Sequence, residues 1–101
     1  MENTLEWLQN WYLSQCNGDW EHEYGIKIDT LDNPGWTIYI DLTDTRCENK
    51  SFVPMNLRKD EQDWIQCDVV DNQFKGAGSA LNLIKIINIF RQWVEKCEAE
   101  D

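Results

Sequence analysis

Near the end of the chain, Leu83, Ile86, Ile87, Phe90, Trp93, Val94 and Cys97 recur at the three- and four-residue spacing of a single helical face. Ile84 and Ile89 lie at its margins, while Lys85, Asn88, Arg91, Gln92, Glu95 and Lys96 take the opposite side. A face this broad has to be covered by another layer. The segment before it supplies one, because its apolar residues alternate with period two, as in half-buried strands.

Ile26 and Ile28 alternate with Lys27 and Asp29 in a strand predicted over about 24–31. Asn33-Pro34-Gly35 carries a type II turn signature. Beyond it, Ile38, Ile40 and Leu42 share one face of a strand over about 36–43. Val53, Met55 and Leu57 give a strand over about 52–58, which Pro54 confines to an edge or a bulge. Ile65, Cys67 and Val69 are in phase over about 64–70, and Asp71-Asn72 turns the chain into a short strand around Phe74, about 73–76. Gly76-Ala77-Gly78-Ser79 reads as the break that opens the last helix, about 80–97.

An N-terminal helix over about 4–16 starts at Asn3 with Glu6 three residues on, a capping-box-like pair. Leu5, Leu8, Tyr12 and Cys16 line one side, and Asn17-Gly18 ends it as a left-handed cap would. With Trp7 and Trp11 added, the apolar arc exceeds one core-facing stripe, so one of the two is expected at the surface. The tail EAED is expected to fray. The fold class is α+β: four or five antiparallel, meander-like strands flanked by an N-terminal and a C-terminal helix, in two layers. Residues 1–101 make one domain, long enough to bury roughly 65% of the unfolded chain's surface.

Charge narrows the function. Nineteen acidic residues against nine basic ones give −10 at pH 7, which disfavours nucleic acid and anionic membrane as partners, since phosphates are met by cations. It favours a basic protein partner reached by electrostatic steering. No apolar run approaches a membrane span. The N-terminus has no basic and apolar leader, and the four cysteines, at 16, 47, 67 and 97, are widely spaced without a CxxC. The chain therefore reads as cytoplasmic and reduced, with Cys67 and Cys97 as small buried hydrophobes.

Asp19, Glu21, His22 and Glu23 form the cluster best suited to a metal or to acid–base chemistry. An extended segment, however, would point Glu21 and Glu23 away from His22, leaving Asp41 or Asp68 to complete a site. There is no HExxH, no second histidine, no GxSxG and no P-loop. No enzyme activity, cofactor or metal is expected. A metal-binding or catalytic module on this cluster is the alternative, and an acidic nucleic-acid mimic is another. Trp20, between Asp19 and Glu21, is the candidate exposed anchor. Asp29 and Asp41 share a non-core sheet face with Lys27, Thr37 and Tyr39, while Trp36 stands at a strand start. Asp19, Trp20, Glu21, Glu23, Asp29, Trp36 and Asp41 are thus the candidate partner-binding residues.

The run LEWLQNWYLSQCNGDWEHEYGIKIDTLDNPGW, followed by IDLTDT, EQDWIQCDV and FKGAGSALNL, resembles the immunity protein 53 family over about residues 5 to 94. The resemblance implies a small bacterial protein of a polymorphic toxin system that neutralises a cognate toxin domain by binding it. A nuclease with a basic cleft is the toxin class that an acidic inhibitor suits, with deaminase and peptidase activities left open.

Overall fold

The computed structural model describes residues 2–99. In chain order they form α1 (Thr4–Gln15), α2 (Trp20–Glu23), β1 (Ile26–Leu31), β2 (Gly35–Asp41), β3 (Met55–Asp60), β4 (Asp63–Val70), β5 (Gln73–Ser79) and α3 (Leu83–Ala99). The five strands make one antiparallel sheet in the order β1-β2-β5-β4-β3. The β1–β2 hairpin and the β3–β4–β5 meander join side by side, with β5 in the middle. This is the α+β architecture that the periodicities predict.

One sheet face is the core. Ile38 and Ile40 of β2, Phe74 of β5, and Ile65 and Cys67 of β4 meet Ile86, Ile87, Phe90, Trp93 and Val94 of α3. α3 lies over β5, and α1 rests on α3. Trp7 and Trp11 both stand edge-on to Phe90, with ring centroids 5.9 and 5.1 Å apart. This corrects the expected burial of α1: Leu8 and Trp11 are buried and Trp7 is half-buried, whereas Leu5 and Tyr12 are exposed. Ring-on-ring contact with Phe90 rotates the helix onto its tryptophan side, since large aromatic surfaces gain most from burial.

Asn3 accepts from the Glu6 N–H at 2.8 Å and caps α1 as expected. The other end differs. Cys16 closes α1 in an extended conformation, and Gly18 uses its positive φ of 94° in the following turn. Pro54 immediately precedes β3, which is an edge strand. Asp71 and Asn72, with φ of 54° and 58°, turn β4 into β5, the backbone that a twisted two-residue hairpin requires.

The largest correction concerns Gly76-Ala77-Gly78-Ser79, which continues β5 to Ser79 and does not open the helix. Its glycines let α3 approach: a Cβ on Gly76 would sit 2.5 Å from Ile86 Cγ2, and one on Gly78 2.8 Å from Ile86 Cδ1. α3 accordingly starts at Leu83 and runs to Ala99. Asn82 fastens its start, donating to Asp63 Oδ1 (3.0 Å), the Trp64 carbonyl (3.1 Å) and Ser79 Oγ (2.8 Å). Of the tail expected to fray, Glu98 and Ala99 are helical, and Glu100 and Asp101 lie outside the described residues.

Candidate interaction surface

Because both long helices pack on the core side, strand alternation sends a second set of side chains to a bare outer face. The register arranges them in rows. Lys27, Tyr39, Lys75 and Asp68 lie abreast across β1, β2, β5 and β4. Asp29, Thr37, Ala77, Gln66 and Asn56 form the next row across all five strands. Tyr39 is 40% exposed at the centre. Beside it lies an open groove of about 440 Å³ that Met55, Gln66, Asp68, Lys75 and Ala77 help to line. The face is amphoteric, not simply acidic, because Lys27 and Lys75 stand among Asp29, Asp41 and Asp68.

The DWEHEY segment is a single helical turn, α2, and not an extended strand lead. Asn17 Oδ1 accepts from the N–H groups of Asp19 and Trp20, each at 3.0 Å. Glu21 returns the favour, its carboxylate accepting from Asn17 N–H (2.9 Å) and Gly18 N–H (3.1 and 2.9 Å). The exchange works like a capping box, each side chain satisfying orphan donors near the other. Backbone N–H groups, its own first and then those of Asn17 and Gly18, hold the Glu21 carboxyl below its ordinary pKa.

Trp20 is buried, 2% exposed, and is not the surface anchor that its charged neighbours suggest. Its ring meets Trp11 at 6.2 Å, Tyr12 at 6.0 Å and Tyr24 at 6.3 Å, and its indole N–H donates to the Thr43 carbonyl at 2.9 Å. The segment therefore clasps the end of α1 to the loop after β2. Asp41 is also engaged, accepting from Gly25 N–H (3.0 Å) and Gln73 Nε2 (3.1 Å).

These positions divide the seven candidate residues. Asp19, Glu21 and Glu23 sit on or beside α2, next to Asp41 at the end of β2. Asp29 projects from the outer face. Trp36 belongs to the far end of β2, about 17 Å from Asp41 by strand rise, half-buried with its ring N–H donating to the Ala80 carbonyl at 2.9 Å. The structure adds Asp44, which shares with Asp19, His22, Glu23 and Tyr24 the wall of a shallow depression of about 160 Å³. Asp44 was hidden in a polar loop; its left-handed φ of 65° was signalled only by its residue type. Among the described residues, no three His, Cys, Asp or Glu side chains are placed to hold a metal ion. Nor is any helix among them long and apolar enough to cross a membrane.

A family model described as immunity protein 53 matches residues 5–95 of the chain. No curated protein and no solved structure matches it.

Proposed function

We propose that this chain, which belongs to the immunity protein 53 family, neutralises a cognate toxin domain by covering it with the outer sheet face and the acidic end beside α2. The bare face carries this reading: five strands are covered by helices on one side only. An exposed tyrosine stands on the other side, beside an open groove of mixed polar and apolar lining. Aromatic side chains in such positions supply anchorage, and charges at the rim set rate and specificity.

Within that surface Asp19, Glu23, Asp29 and Asp44 are the exposed carboxylates that attract cationic groups of the toxin. Glu21, Trp20 and Asp41 act behind them by holding α2 and the strand ends in place. Trp36 lies outside this contact. A toxin with a basic substrate cleft, a nuclease among others, is the partner that the −10 charge suits. The protein acts by occupying the toxin and has no catalytic role of its own.

The experiment is a titration against the toxin domain encoded beside its gene, at low and high salt, with D19K/E23K and Y39A as variants. One-to-one binding that weakens with salt and with D19K/E23K supports the acidic end. Loss in Y39A alone moves the contact to the centre of the sheet. Unchanged affinity and full protection from toxicity in both variants would remove this surface from the mechanism.

A further inference from the structure

The two edges of the sheet are built differently. β3 carries several of the devices that keep an edge from pairing. Pro54 precedes it, its register shifts between Arg58 and Asp60, and Arg58 and Lys59 are exposed along it. β1 has none of these beyond Lys27. Its register with β2 runs unbroken from Ile26↔Ile40 to Leu31↔Gly35, with no proline, and Ile28 is 42% exposed.

The hydrogen-bond phase of β1 is fixed. The Gly25 carbonyl accepts from Asp41 N–H at 3.1 Å, so Gly25, Lys27, Asp29 and Leu31 direct their backbone groups to β2. Ile26, Ile28 and Thr30 direct theirs to the open edge. The Thr30 N–H agrees with this phase, because it bonds the neighbouring Asp29 Oδ1 (2.8 Å).

We propose that β1 pairs antiparallel with β1 of a second copy of this chain, about a two-fold axis through Ile28. In this register Ile28 faces Ile28 of the second copy, and Ile26 faces Thr30, whose N–H exchanges its bond to Asp29 Oδ1 for one across the edge. Lys27 then falls opposite Asp29 on both sides of the axis, so the strand is complementary in charge to itself. An axis at Lys27 or Asp29 would demand backbone groups already bonded to β2. One at Ile26 or Thr30 would run half of the strand past its partner's end. The pairing adds a hydrogen-bonded ladder, buries the exposed Ile28 pair and joins two five-stranded sheets into one. The −10 charge on each copy opposes it, but that repulsion is screened beyond about 8 Å at physiological salt.

The test is sedimentation velocity on the full chain from about 1 μM to about 1 mM, a range spanning the affinities of weak to moderate dimers. The wild type, K27D, D29K and the double swap K27D/D29K are compared, with melting curves to show that each folds. A reversible wild-type dimer is expected. Each single variant sets like charges opposite each other twice and weakens it on the order of tenfold, and the double swap regains it. A wild type monomeric throughout would overturn the proposal, and so would single variants that dimerise as tightly. A double swap that fails to regain the dimer would overturn the register on which the proposal rests. Should the wild type stay monomeric while K27D and D29K lose toxin binding, the edge belongs to the toxin instead.

Discussion

Glu21 holds the Gly18 N–H with both carboxylate oxygens, at 3.1 and 2.9 Å, from the helical turn that follows it. The most chemically suggestive string of the sequence is thereby spent on local architecture. Its one buried ring, Trp20, joins the helix before it to the loop after β2.

Substitutions at Trp20 are therefore expected to act on stability. W20F keeps an aromatic ring but loses part of the indole volume and the bond to the Thr43 carbonyl, costing about 1–3 kcal/mol, whereas W20A costs about 3–5 kcal/mol. Urea unfolding measures both. W20F that melts normally yet fails to bind the toxin would place the indole in the interface.

Gly76 and Ile86 should be coupled. G76A forces a methyl into the space 2.5 Å from Ile86 Cγ2 and 3.0 Å from Ile38 Cγ2, an overpacking cost of about 1–3 kcal/mol. In the G76A background I86A should cost less than in the wild type, because it removes the clash while opening its cavity. A double-mutant cycle with no coupling would show that the strand shifts to accommodate the methyl.

The thiols should divide by burial. Cys16 is partly exposed, and Cys47, Cys67 and Cys97 are buried, all four as free thiols. Burial pushes Cys67 up to about 12, and burial, with Cys97 beside it, raises Cys47 as well. At pH 8 a colorimetric thiol reagent should label Cys16 first and the rest only on unfolding. C16S should abolish the fast phase.

Acid should loosen the two fastenings at either end of the sheet. The Asn82 amide holds the Asp63 carboxyl below its ordinary value of 3.8, and backbone N–H groups hold Glu21 below 4.5. A depressed folded pKa contributes stability at pH values above the unfolded one, and that contribution is lost as pH falls through the folded one. Unfolding midpoints should thus be insensitive to these groups from about pH 6 to 8 and fall below about pH 4. E21Q/D63N should flatten the acid limb, and a double variant as acid-sensitive as the wild type would assign that limb to other carboxylates.

Much of this architecture was legible in the residues. Alternation at Ile26/Ile28, Ile38/Ile40 and Ile65/Cys67 gave strands and faces, and the helical period of Ile86, Ile87, Phe90 and Trp93 gave the covering layer. What escaped was tertiary. Gly76 to Ser79 has the composition of a turn, and only the approach of Ile86 makes strand glycines necessary. Tyr12 and Trp11 are both apolar by type, and the position of Phe90 decides which is buried. Asp19 to Glu23 looks like a site because its local bonding partners, Asn17 and Gly18, are not ligands by type. The family motif carried the role of the chain, while the location of its contact surface depends on which face the helices leave bare.

The place of β5 has a consequence for synthesis. The strand at the centre of the sheet is made after the four strands that flank it, so β2 and β4 wait for a shared neighbour, and α3 must follow before the core is sealed. The β2–β5 pairing is sequence-distant and closes slowly compared with the local β4–β5 hairpin. A nascent chain stopped short of residue 73 would hold a hairpin on one side and two strands of a meander on the other, with nothing to join them. The continuous outer face therefore comes into being only once β5 has been made. On the function proposed above, a chain that still lacks β5 has no continuous surface with which to hold a toxin.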